Sequence, residues 1–171
     1  MEKLANVALA FSIFAGAYDY LTQRIPNWLT FSAILLGLLA QGYNNSWTGL
    51  LTSFIGILVA FLVFSPMYFL KWMGAGDVKL LMAVGAWSSW HFCIYVAIVS
   101  IFIGGAYALF DTIRVGRFLP FVKAAYRSLR SMMVPSLVLE KPKLSDRKFS
   151  FGVAVACAVG IVIFLQNQGR L

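Results

Sequence analysis

Only six acidic residues stand in this chain of 171, and two of them sit where a carboxylate is expensive. Asp19 lies between Tyr18 and Tyr20, just before the end of a long apolar run. Asp77 follows Gly74-Ala75-Gly76 and opens another apolar run at Val78. An acid in or near hydrocarbon is costly to keep and is a functional candidate by default. If the two meet at one depth, one specific chemistry is open to them. Like charges held together do not both ionise cheaply, so one pKa rises and the pair shares a proton. The ionised member then takes a proton from water while the protonated member polarises a peptide carbonyl. That is aspartic-protease chemistry, and it requires neither a metal nor a nucleophilic side chain.

The remaining candidates are poorer. Glu2, Glu140 and Asp146 fall in termini or loops, and Asp111 closes an apolar run beside Arg114, a helix-end or salt-bridge position. His91 is predicted at the opposite face of the membrane from the two aspartates. Cys93 and Cys157 lie inside apolar runs without metal-ligand spacing and read as packing residues. No metal and no cofactor is expected. Gly74 and Gly76 let the backbone take conformations closed to other residues and let a substrate backbone approach. The turn can set Asp77 at a helix N-terminus, where the macrodipole favours its charge. Taken alone, Gly-Ala-Gly-Asp equally describes a flexible loop with an N-cap aspartate.

The elements that must hold these residues follow from composition. Hydrophobic residues make up 61% of the chain and charged residues 12%, against roughly a quarter charged in ordinary domains. The mean hydropathy is +0.83. The expected class is an all-α membrane protein, a single domain with a six-helix transmembrane bundle. Spans are predicted at about 4–21, 28–41, 50–70, 78–90, 92–110 and 149–165, with the first a permanent span rather than a cleaved signal. Pro26 suits the first turn of the second helix, and Gln41 to Trp47 reads as a polar turn. The second and fourth runs are short, so the turns before them are expected below the membrane surface, shielded by protein.

Charge then gives a direction. Twelve of the fourteen Lys and Arg residues fall in the three odd-to-even segments, and only Lys3 and Arg170 lie on the other side. This positive-inside asymmetry puts both termini in the periplasm and the basic segments in the cytoplasm. Asp19 and Asp77 both map to the cytoplasmic ends of their helices. The net charge of +8 is thereby an orientation signal, and nucleic acid is not an expected partner. Within the long basic segment between the fifth and sixth spans, Phe121, Val122, Ala125, Leu129 and Met132 share a helical face. This suits an amphipathic helix on the lipid surface. Gly152, Ala156 and Gly160, and more briefly Gly56 and Ala60, form small-residue stripes that permit close helix contact. A small ion- or proton-coupled transporter using Asp19 and Asp77 is the rival reading, although its acids would belong nearer the midplane.

The wider pattern is more specific. Asp19 followed by Arg24-Ile25-Pro26-Asn27 resembles the first-aspartate segment of the type IV prepilin peptidase family. Gly74-Ala75-Gly76-Asp77-Val78-Lys79 resembles its Gly-x-Gly-Asp-x-Lys motif, and Phe151-Gly152-Val153-Ala154 the last helix of its short, Tad-type members. The Gly-x-Gly-Asp element is shared with preflagellin peptidases and presenilin-type proteases, but Ile-Pro-Asn favours the prepilin enzymes. The resemblance implies cleavage of the short basic leader of prepilins or pseudopilins at the cytoplasmic face of a bacterial inner membrane. By position it implies Asp19 and Asp77 as the catalytic pair. It also implies an active-site loop of Gly74, Gly76, Lys79, Pro26 and Asn27. Long family members also carry a cysteine-paired cytoplasmic domain and methylate the new N-terminus. This chain shows no such cysteine pair, which puts methylation in doubt.

Overall fold

The structure is a computed structural model that describes residues 2–23, 25–70, 73–114 and 150–169. These residues are all-helical, in α1 (Glu2–Thr22), α2 (Asn27–Phe69), α3 (Ala75–Trp87), α4 (Trp90–Arg114) and α5 (Phe151–Asn167). Three stretches are long and apolar enough to cross a bilayer, Leu4–Thr22, Asn27–Phe69 and Trp90–Phe110, while α5 is apolar but shorter. The basic segment beyond Arg114, with the amphipathic stretch predicted in it, lies outside the described residues.

At 43 residues, a straight α2 would run about 65 Å, roughly twice the hydrocarbon thickness. It is not straight. The backbone leaves the helical region at Asn45 and at Ser46, where φ is 53°. Contacts with α3 show that the chain doubles back there. The Trp87 indole N–H donates to the Ala33 carbonyl at 2.9 Å, and the Ser53 hydroxyl donates to the Ala86 carbonyl at 2.7 Å. Ala33 and Ser53 would be about 30 Å apart along one straight helix, yet they reach adjacent residues of α3. α2 is therefore a helical hairpin with arms 27–44 and 47–69, and α3 lies against both.

The polar turn expected over Gln41 to Trp47 narrows to those two residues. Its side chains bond back into the helix ends instead of loosening them. Asn44 donates to the Ala40 carbonyl at 2.7 Å, Asn45 to the Gln41 side-chain oxygen at 3.0 Å, and Thr48 to the Asn45 carbonyl at 2.7 Å.

The core gathers around α3, the shortest of the described helices. Leu80, Leu81, Ala83, Val84 and Ala86 are fully enclosed. Leu80, Leu81 and Val84 pack among Phe64 of α2, Cys93 and Val96 of α4, and Val155, Val159 and Val162 of α5. The outer faces carry Phe31, Leu39, Leu62, Phe102 and Phe164, each exposed by 60% or more, a surface suited to lipid. Thirteen residues give α3 only about 20 Å of length, and its C-terminal end is covered by protein, with Ala86 and Ser88 buried. An unsatisfied backbone group at such depth would cost several kcal/mol. The last carbonyls are accordingly used: Trp87 accepts from Gln41 at 3.1 Å, Ala86 from Ser53, and Val84 from Ser88 at 2.7 Å.

Two glycine contacts set the helix spacing. Gly56 of α2 faces Gly85 of α3 so closely that a Cβ on either would collide with the other's carbonyl oxygen. Gly16 of α1 meets Gly152 of α5, where a Cβ on Gly16 would lie 2.9 Å from the Gly152 carbonyl oxygen. The small-residue stripes thus include real crossing points, although Gly160 makes only ordinary contact with Leu9.

Candidate active site

Asp19 occupies the last turn of α1. The helix stops just beyond it because Gln23 turns left-handed, with φ 54°, and its N–H closes on the Asp19 carbonyl at 2.7 Å. This is a helix ending of the αL type. Ile25 and Pro26 then run outside any helix, and Pro26 stands as the N-cap of α2 with an extended backbone, one position before the first-turn place predicted for it. Asn27 is the first residue of α2.

The Asp19 carboxylate is buried, 7% exposed, and it meets α5 end-on. Its Oδ2 accepts the Ser150 hydroxyl at 2.6 Å and the Gly152 N–H at 3.2 Å. Gly152 is the second residue of α5, so Asp19 satisfies an N–H that the helix itself leaves free. The positive end of the α5 dipole points at an acid on α1. A side chain at position 152 would crowd this arrangement, since its Cβ would come 3.1 Å from Asp19 Oδ2.

Asp77 is the third residue of α3. Its Oδ2 accepts the N–H of the N-cap residue Gly74 at 3.1 Å, and its own N–H bonds the Gly74 carbonyl at 3.2 Å. An acid at this position reaching back to the N-cap is half of a capping box. Gly74 has no side chain to complete it. Gly76 lies under Ile25, whose Cβ would be 3.2 Å from a Cβ built at 76.

The sequence-predicted residues therefore converge. α1 and α3 touch, and the Asp19 and Asp77 carboxylates are near enough for their charges to interact. The segment after Asp19 packs on the loop before Asp77, through Ile25 on Gly76 and through Lys79. The Lys79 ammonium donates to the Asn27 side-chain oxygen at 2.8 Å and stands 5.2 Å from the centre of the Phe31 ring. Lys79 thus ties the first turn of α3 to the first turn of α2. Pro26 contributes backbone only: its carbonyl accepts the Leu29 and Thr30 N–H groups.

Other candidates stay apart. His91 is exposed at the start of α4, stacked on Trp90 with ring centres 3.4 Å apart, beyond the other end of α3. Cys93 is buried and Cys157 faces outward. Among the described residues, no group of three or more His, Cys, Asp or Glu stands together to hold a metal. One partner of the site was not singled out from sequence. Ser150 precedes the last apolar run, a position that reads as an ordinary N-cap.

A sequence profile of the type IV leader peptidase family matches residues 6–109. The chain is 29% identical over 120 residues to a prepilin leader peptidase/N-methyltransferase of Pseudomonas putida, covering 64% of this chain and 41% of that protein. It is 31% identical over 106 residues to the protein of the same name from Dichelobacter nodosus, covering 58% and 37%. With the corresponding protein of Pectobacterium carotovorum subsp. carotovorum it shares 28% over 93 residues, covering 51% and 33%. The matched part thus spans about two-fifths or less of these relatives. No solved structure gives a significant match. The profile takes in Asp19, the Arg24-to-Asn27 segment and the whole Gly74-to-Lys79 loop, and the chain belongs to the type IV leader peptidase family.

Proposed function

We propose that this chain is a membrane aspartic endopeptidase, with Asp19 and Asp77 as its catalytic pair, that removes the short basic leader of type IV prepilins or pseudopilins. One observation carries the reading: two acids 58 positions apart on different helices are brought within reach of each other's charge. Each is also held at a helix N-terminus. Two carboxylates so placed share a proton. The ionised one accepts a proton from water as the water attacks the scissile carbonyl, and the protonated one donates to the carbonyl oxygen. The proton then passes to the leaving amine. Gly74 leaves room beside Asp77 for an extended substrate backbone, Gly76 lets Ile25 pack against the start of the helix, and Lys79, Asn27 and Pro26 fix the loop.

Orientation supports the substrate class. With the two arms of α2 counted as separate spans, six cross the bilayer, both termini face the periplasm, and the acid pair opens toward the cytoplasm of the bacterial inner membrane. A basic leader held on the cytoplasmic side ends where its own hydrophobic helix enters the membrane, at the depth of the pair. Of the relatives' double name we carry over the peptidase half, for which the acid pair supplies chemistry.

The test is cleavage of a basic-leader pilin by the purified protein in liposomes, beside Asp19→Asn and Asp77→Asn. Leader removal by the parent and by neither folded variant is expected. Processing that survives loss of either carboxylate would overturn the assignment.

A further inference from the structure

Ser150 sits at the N-cap of α5 with an extended backbone, φ −78° and ψ 96°, yet its side chain makes no capping bond to its own helix. A serine there would ordinarily accept an N–H from the second or third residue of the helix. In α5 the second residue is Gly152, and its N–H goes to Asp19 instead. The roles are exchanged: the acid of α1 caps α5, and the serine, freed from capping, donates its hydroxyl to the same acid 131 positions away at 2.6 Å. Both bonds end on Oδ2 and neither on Oδ1.

We propose that Ser150 is a positioning residue for the acid pair, its hydroxyl and the Gly152 N–H together clamping Asp19 by Oδ2 so that the carboxylate holds one orientation beside Asp77. This rests on the peptidase reading above. A carboxylate turns readily about its last torsion, and one hydrogen bond to one oxygen leaves that rotation open. Two donors from different directions, one a side chain and one a rigid helix backbone, close it. Productive acid–base geometry tolerates only about half an ångström of drift, and misplacement by about 1 Å can cost on the order of 10²-fold. The clamp acts on Asp19 and not on the leader, since the hydrogen of the Ser150 hydroxyl is donated to Asp19.

The expectation is therefore a loss in kcat without a loss in KM. Ser150→Ala should lower kcat roughly 10- to 100-fold with KM held within about twofold. Ser150→Thr, which keeps the hydroxyl, should restore most of the rate. The assay is cleavage of a basic-leader pilin by the full chain in liposomes, with Asp19→Asn and Asp77→Asn run in parallel. If the parent cleaves and neither aspartate variant does, the peptidase reading stands and Ser150 is judged alone. Parental kcat in Ser150→Ala, an effect confined to KM, or a loss that threonine fails to restore would each overturn the clamp. A second readout is independent of turnover. Ser150→Ala should lower the thermal midpoint in the parent but not in an Asp19→Ala background, as coupled neighbours require. Equal shifts in both backgrounds would overturn the clamp even if no pilin is cleaved.

Discussion

The two ends of α3 are finished in opposite ways. At the C-terminal end, three carbonyls are taken by the side chains of Gln41, Ser53 and Ser88, and the Gly56–Gly85 contact presses the arm of α2 against them. No like charges are brought together there. At the N-terminal end the helix offers glycines and its own acid, and α1 brings a second acid within range of the first. Such a juxtaposition is unfavourable in itself and persists only where the surrounding structure over-determines it. Here the α5 N-terminus, Ser150 and the Lys79–Asn27 bond do so. One end is saturated and builds the fold, while the other brings two acids within range of each other.

The sharpest way to break that contrast is to separate stability from turnover. Asp77→Asn should remove general acid–base catalysis, a loss of roughly 10²- to 10⁴-fold, equivalent to about 3–5.5 kcal/mol in the barrier. Its thermal midpoint should not fall, because a repelled carboxylate has been neutralised. A variant that loses activity only by unfolding would erase the distinction between the two ends. Gly85→Leu should behave in the reverse manner. Its side chain enters space filled by the Gly56 backbone, and overpacking of this kind costs about 1–3 kcal/mol, occasionally more. The expected result is a lowered thermal midpoint, with full specific activity in whatever fraction remains folded.

Gln41→Leu probes the same end more gently. It leaves the Trp87 carbonyl without its donor and frees the Asn45 amide. An orphaned buried group costs about 1–3 kcal/mol. Denaturation should shift accordingly, while kcat and KM per folded molecule hold. A kcat effect from Gln41, whose partner Trp87 is about 15 Å along the helix from Asp77, would mean that the two ends are coupled.

What the sequence made legible follows the same division. The acid pair, the glycine loop and the apolar runs are each announced by residue type: a carboxylate in an apolar run, glycines before it, a basic turn between spans. The structure packs α1 against α3 and brings the two acids within range of each other's charge. The C-terminal end of α3 was silent because its partners are ordinary. Gln41 reads as part of a polar turn and Ser53 as one more position in an apolar run, and only the doubling-back of α2 brings them to the α3 carbonyls. The turn is shorter than its residue types suggest because Asn44, Asn45 and Thr48 serve helix ends as readily as loops. Ser150 was missed for a related reason, since its N-cap position explains a serine without reference to any distant acid.

Lys79 offers the finest cut, because a cation in a basic turn is explained equally well by orientation and by the site. The structure gives it two partners on α2, the Asn27 oxygen at 2.8 Å and the Phe31 ring face. If Lys79 served only as a positive-inside charge, Lys79→Arg would be silent and Asn27→Ala would do nothing. If it is a strut between the first turns of α2 and α3, the hydrogen bond matters, and the compact ammonium is not replaced by a planar fork. Lys79→Met and Asn27→Ala should then each lower kcat modestly, by about tenfold or less, in keeping with the roughly 1.5 kcal/mol of a partly exposed charge-assisted bond. The double variant should be no worse than either single, the mark of one shared interaction. Additive losses would assign the two residues separate tasks, and a silent pair would leave the acid loop held by Ile25 on Gly76 alone.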